Sequence, residues 1–227
     1  MSGAIVIFAK TPGLTPAKTR LAETIGPQAA ADFHRLAIDA VAASVSRFLI
    51  ARPDWVARWA VAEAEGVGHP LWQGFGARHT GSGSLGDRMW RMHEAFRRVH
   101  GHVLLIGADA PQLDAAHLKA AAESLKAADH VFGPARDGGF WLFGSRRRIP
   151  REVWLRPRYS TADAMTDFAH ELAALGHAAA APLALLGDVD REEDLLALGA
   201  EWPERMTEAQ ERLARWIVQG RPPLPSD

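Results

Sequence analysis

The sequence predicts an α/β protein built on one mostly parallel sheet, and three observations carry that expectation. Apolar runs of strand length alternate with amphipathic helical stretches along the chain. Two of the runs, Ala4–Ala9 (AIVIFA) and His102–Gly107 (HVLLIG), are apolar without alternation, the pattern of strands covered on both faces. Each gives way to a polar segment containing proline, which ends a strand because it lacks a donor.

The remaining elements follow in order. After Ala9 a polar loop runs to Arg20. Pro27–Leu49 then places Phe33, Leu36, Ala37, Ala40, Val41, Ser44 and Phe48 on one stripe, an amphipathic helix. Val56–Ala62 reads as a second strand and Gly74–His79 as a short third. Ser84 with Asp87 has capping-box spacing, and Met89, Met92, Phe96 and Val99 give the helix behind it an apolar face. Asp114–Ala127 is the next helix. His130–Phe132 and Phe140–Phe143 are short strands flanking a turn that carries Asp137. Ser160 and Asp163 are expected to cap a helix to Leu175, closed by Gly176. A last strand over Ala178–Leu186, a helix over Asp190–Leu198 and a helix from the Thr207/Gln210 cap to about Gln219 complete the series. No repeat or linker interrupts the 227 residues, so 1–220 are expected to form one domain and 221–227 a mobile tail.

Composition narrows the function. The formal net charge is −1 and no basic run is long enough to track a nucleic-acid backbone, which argues against such a partner. The cluster Arg146–Arg148 reads as a solvated turn. Absence of cysteine excludes disulfides, thiolate metal sites and cysteine nucleophiles. No apolar run reaches membrane-spanning length and the N-terminus has no basic region before an apolar one, so a cytoplasmic protein with no membrane partner is expected.

Chemistry concentrates at strand ends, where open α/β sheets gather ligands. Asp109 follows the strand HVLLIG, and an acid there suits Mg²⁺ or Mn²⁺, ions that clamp phosphate oxygens. Lys10, Lys18 and Arg20, in the loop after the first strand, can meet nucleotide phosphates through charge-assisted hydrogen bonds. Asp137 lies in a turn with Gly138 and Gly139, and Trp141 beside it could flank a sugar or acceptor ring. Gly81, Gly83 and Gly86 spell G-x-G-x-x-G, but the preceding GFGARHT is a poor buried strand. The segment therefore reads as an anion-holding loop, with Gly83 and Arg88 as contacts, rather than as a dinucleotide fold. Asp190 has two readings: a helix cap with Glu193 at box spacing, or a second carboxylate for a metal. His34, His93, His100 and His170 lack metal-ligand spacing, and Trp59, Trp90 and Trp154 read as packing residues.

Taken together, FAK-x-P…KTRLA, G-x-LG-[DE]-RM, GAD-x-P-x-L, GPA-x-DGG-x-x-L-x-G and DVD-x-x-EDL resemble one family. It comprises the transferases often encoded beside radical-SAM and selenodomain proteins, some of them labelled arsenosugar-biosynthesis glycosyltransferases. The resemblance runs from about Ile5 to Leu196. It implies the GT-A fold of the nucleotide-diphospho-sugar transferase superfamily, a single-domain three-layer α/β/α sandwich. It also implies Asp109 as the metal-binding aspartate, Asp190 as a second carboxylate on the same ion, and Lys10, Lys18 and Arg20 as phosphate contacts. The sequence departs from the family pattern at Leu14–Thr15, usually Pro-Gly, at Ser84, commonly an acid, and at Ala110, often Ser. The expected activity is glycosyl transfer from a nucleotide sugar to a small acceptor, with Asp137, and Lys18 beside the phosphates, as catalytic residues. The KTRL loop and DVD-x-x-EDL also occur in guanylyltransferases, so nucleotidyl transfer from a nucleoside triphosphate with release of pyrophosphate stands as the alternative. A non-catalytic nucleotide-binding protein is the third reading.

Overall fold

The computed structural model describes residues 2–221. Its six strands are β1 (Gly3–Ala9), β2 (Trp55–Val61), β3 (Ala77–His79), β4 (His102–Gly107), β5 (His130–Pro134) and β6 (Phe140–Ser145). They form one sheet in the order β3-β2-β1-β4-β6-β5. β1 is central and pairs in parallel with β2 and β4, and β2 pairs in parallel with β3. β6 runs antiparallel to both β4 and β5. The expected mostly parallel α/β sandwich is therefore present, with one reversed strand.

The helices are α1 (Thr19–Ile25), α2 (Pro27–Ala51), α3 (Leu85–Arg97), α4 (Ala115–Ala127), α5 (Arg151–Leu155), α6 (Ala164–Ala174), α7 (Glu192–Ala197) and α8 (Glu208–Val218). On one face of the sheet, Ile38, Val41, Val45 and Phe48 of α2 and Leu118 and Leu125 of α4 pack with Ile5, Ile7, Leu104 and Ile106. On the other, Met89 and Met92 of α3, Trp154 of α5 and Phe168 of α6 cover Val6, Val103 and Leu105. Successive side chains of β1 thus serve opposite layers, which is why its sequence is apolar throughout. α2 also buries a second side, Phe33, Leu36 and Ala37, against Leu21, Leu195, Leu213 and Trp216 of α1, α7 and α8. The capping boxes at Ser84/Asp87 and Thr207/Gln210 are formed.

Four expectations are corrected. The loop to Arg20 contains the start of α1, whose only buried residue is Leu21. α5 follows Pro150 where no element was expected. Ala178–Leu186 is not a strand. Its Ala180, Leu183 and Leu186 amides donate to His130, Phe132 and Pro134 carbonyls, but the segment makes only isolated bridges, and Pro182 has no amide hydrogen to give. Neither Ser160 nor Asp163 caps α6. Asp163 makes no cap bond and pairs with Arg158 at 3.0 Å, while Ser160 has a φ of 63° in the preceding turn. Arg221, first residue of the expected tail, donates to Trp216 O and pairs with Glu192 at 2.8 Å; 222–227 lie outside the described residues. Among the described residues no helix is long and apolar enough to cross a membrane.

Candidate active site at the strand ends

Parallel β1 and β4 end together, with the Ala108 amide donating to Phe8 O at 3.1 Å. Asp109 follows immediately. The DVD segment before α7 is drawn to it by a bond from the Val189 amide to Asp109 O at 3.2 Å. Gln112 braces the same segment, donating to Gly187 O at 2.6 Å and to Glu201 Oε2 at 2.9 Å. Two acids distant in sequence, Asp109 and Asp190, consequently face one cation. Lys18 Nζ lies 2.7 Å from Asp109 Oδ1 and 3.3 Å from Asp190 Oδ1. Arg20 Nη1 reaches Asp190 Oδ2 at 3.4 Å.

Partial desolvation in the cleft alone would raise the half-exposed Asp109 carboxyl, but the adjacent Lys18 ammonium outweighs it and holds the group below the usual carboxylate range. The same pairing reverses the effect of burial on Lys18 and raises its ammonium above its ordinary value. Asp188 behaves oppositely. Burial, helped by the charges of Asp137 and Asp190, lifts its carboxyl above the usual range.

Asp190 is not a helix cap. The Asp194 carboxylate takes the amides of Asp190 and Arg191, at 3.0 and 2.8 Å, which leaves the Asp190 side chain to the cations. The box expected from Glu193 is therefore built one residue later.

Two cavities meet at these acids. The first, about 350 Å³, lies over the ends of β1 and β2 and is lined by Lys10, Lys18, His34, Thr80 and Arg88. The second, about 430 Å³, is lined by Asp137, Gly139, Trp141, Tyr159, Ser160 and Asp188. Phe8, Leu85, Asp109 and Asp190 line both. Lys10 donates to Pro16 O at 3.0 Å, and the His34 ring bonds Lys10 O at 3.0 Å from below the loop. Burial, only partly opposed by that bond, lowers the His34 pKa and favours its neutral form.

The expected site residues are thus mostly together, with exceptions. Gly83 lines neither cavity; its carbonyl accepts from Arg88 Nε at 3.3 Å. Gly138 has a φ of 87°, and a Cβ there would overlap Ala162 O, so its smallness serves the protein's own backbone. Trp141 walls the second cavity but is buried, its Nε1 donating to Ala184 O at 3.0 Å. Asp137 Oδ1 accepts the Gly139 amide at 2.8 Å, an Asx turn that fixes the carboxylate. Sequence reasoning missed Asp188, Thr80 and His34. Only Asp188 left a signal: it lies two residues from Asp190, and in an extended segment both side chains face the same way.

The architecture is that of the nucleotide-diphospho-sugar transferases. A Desulfovibrio desulfuricans G20 protein, provisionally assigned as a nucleotide-diphospho-sugar transferase, superposes with a TM-score of 0.80 at 25% identity, covering 97% of this chain and 99% of that one. The chain belongs to the family described as an uncharacterized protein conserved in bacteria (DUF2064), whose profile matches residues 38–161. Two further structures share the fold. A CMP:2-keto-3-deoxy-manno-octonic acid synthetase complexed with CTP has a TM-score of 0.55 at 13% identity, covering 88% of this chain and 98% of its own. Glucosyl-3-phosphoglycerate synthase of Mycobacterium tuberculosis, with Mn²⁺, UDP and phosphoglyceric acid, has a TM-score of 0.51 at 13% identity, covering 99% and 80%. No curated protein matches the chain.

Proposed function

We propose that the chain transfers the glycosyl group of a nucleotide sugar to a small acceptor in the cytoplasm, with Asp109 and Asp190 as the residues that would hold Mg²⁺ or Mn²⁺, as the arsenosugar-type transferases it resembles are expected to do. The observation that carries the reading is the position of Asp109 and Asp190, which line both cavities at their junction. A donor diphosphate lying there would have its nucleoside in the first cavity and its sugar in the second.

The two carboxylates already share one cation, the Lys18 ammonium, and so form a cation-binding pair by their own chemistry. Among the described residues no group of three or more His, Asp or Glu side chains offers a complete metal cage. Two carboxylates nevertheless fit Mg²⁺ or Mn²⁺, which commonly take one or two from the protein and complete the shell with phosphate oxygens and water. Held by Asp109 and Asp190, such an ion would supply charge neutralisation for the departing nucleoside diphosphate.

The protein's own side chains supply the rest. Lys10, Arg20 and Arg88 neutralise the remaining phosphate charge as the sugar–oxygen bond breaks. Asp137, one oxygen fixed by the Gly139 amide, orients an acceptor hydroxyl with the other and takes its proton. Gly139 and Trp141 shape the wall beside it.

Nucleotidyl transfer is the second reading, favoured by three cations between β1 and the first turn of α1, enough for a triphosphate, and by the fold shared with a synthetase crystallised with CTP. Incubation with nucleotide sugars, and separately with nucleoside triphosphates plus sugar phosphates, tests the choice. Release of nucleoside diphosphate supports glycosyl transfer, and release of pyrophosphate supports the alternative. Asp109→Asn should retain the fold and lose metal-dependent nucleotide binding in calorimetry. Undiminished binding by that variant would remove the metal role.

A further inference from the structure

Lys18 lies against the two acids and is more deeply enclosed than either of them. Its side chain is 5% exposed, whereas those of Asp109 and Asp190 are 51% and 44% exposed. The backbone at Lys18 is left-handed (φ 55°, ψ 40°), an uncommon state for a lysine, which lacks a short polar side chain to stabilise it locally. Charges at the junction also balance: Asp109 and Asp190 face Lys18 and Arg20, two negative against two positive.

A divalent ion arriving alone would meet two carboxylates already paired with two cations, one of them an ammonium in contact with both, where such ions take about six oxygens. A diphosphate changes both conditions. It brings the missing oxygens and a new anion on which Lys18 can pair.

We infer that Lys18 is a resident counter-ion occupying the cation position of the free protein, and that metal enters only with the diphosphate, Lys18 passing from carboxylate to phosphate. The inference rests on the metal-dependent reading above and deepens it into an order of binding. It also gives Lys18 two successive partners in place of the single phosphate partner expected from sequence. No bond is made or broken in the exchange; one ammonium leaves two carboxylates as one divalent ion arrives.

The test is binding of Mn²⁺ alone, followed by the paramagnetic resonance of the free aqua ion, for the parent and Lys18→Met. Removing a positive charge within hydrogen-bond distance of the ion's ligands should tighten Mn²⁺ binding at least roughly tenfold. Adding Asp109→Asn to Lys18→Met should abolish that gain. With UDP, GDP, CDP or ADP present the order should reverse, the parent binding the metal–nucleotide pair more tightly. Circular dichroism checks that the variants fold, and Lys18→Gln serves if Lys18→Met does not. Mn²⁺ binding by a folded neutral variant that equals or falls below the parent's overturns the inference. So does a parent that binds nucleoside diphosphate equally well with and without metal while the neutral variant requires metal, since Lys18 would then replace the ion permanently. Absence of any nucleoside diphosphate binding by the parent would instead bring down the transferase reading, leaving the Mn²⁺ comparison to decide the role of Lys18.

Discussion

Replacing His93 with leucine should flatten the acid side of the protein's stability profile. His93 lies on α3 with no exposed surface, its ring 5.2 Å from that of Trp154, and neither ring nitrogen has a hydrogen-bond partner among the described residues. Burial, with a smaller contribution from the Arg97 charge, pushes its pKa down to about 3 from 6.5. The sign follows from which state binds the proton. The unfolded chain protonates His93 as pH falls below about 6.5, and the folded chain does not do so until about pH 3. The neutral ring is therefore compatible with full stability above about pH 6.5, and stability drains away as pH falls toward 3. Each pH unit in that window is worth about 1.4 kcal/mol, so between about pH 7.5 and about pH 5 His93 costs the native state about 2 kcal/mol. Urea unfolding of the parent and His93→Leu at the two pH values isolates the effect. His130, also pushed down by burial, to about 4, is common to both proteins and cancels. Any constant packing penalty of leucine cancels as well, because only the difference between pH values is compared. Parallel pH dependences would show that the ring finds water or a partner, and the argument from its burial would fall.

Two other substitutions probe how the site is held. Asp194→Ala should cost about 1 kcal/mol in chemical denaturation, because the Asp190 and Arg191 amides at the start of α7 lose their acceptor; an unchanged midpoint would hand the capping role elsewhere. Gly138→Ala should destabilise by about 2 kcal/mol or more, since the new methyl combines a left-handed φ with overlap on the Ala162 carbonyl. Wild-type stability in that variant, measured the same way, would mean that the Asp137 turn is free to shift.

What could be read from the sequence follows from how each feature is stabilised. β1 and β4 are legible because a strand covered on both faces is apolar along nearly its whole length, and α2 because a long amphipathic helix repeats its signal many times. α1 and α5 are too short to show periodicity and exist because Leu21 in one and Val153 and Trp154 in the other are buried by distant partners. Ala178–Leu186 has an apolar composition suited to a strand, yet Pro182 interrupts any ladder it could join. At the site, Asp109 announces itself by following a buried strand. Asp190 does not, because an aspartate ahead of an acidic helix start has the same pattern whether it caps or binds, and the Asp194 contacts are needed to remove the cap. The pairing of Lys18 with both acids is invisible locally, since it joins three segments that only the fold assembles.

The reversal of β6 divides the labour of the chain. Apart from Asp190, every residue lining the first cavity precedes residue 110, on the parallel part of the sheet. Most of the second cavity comes from beyond that point: the β5–β6 turn, the Tyr159–Ser160 turn and the DVD segment. Because β6 runs against β4, a tight turn can deliver Asp137 and Gly139 to the same rim where the parallel strands end. Changes to the β5–β6 turn or the Tyr159–Ser160 turn can therefore remodel one chamber while the walls of the other stay as they are. Such a chain can exchange the walls of one chamber and keep a fixed joint, Asp109 and Asp190, between the two.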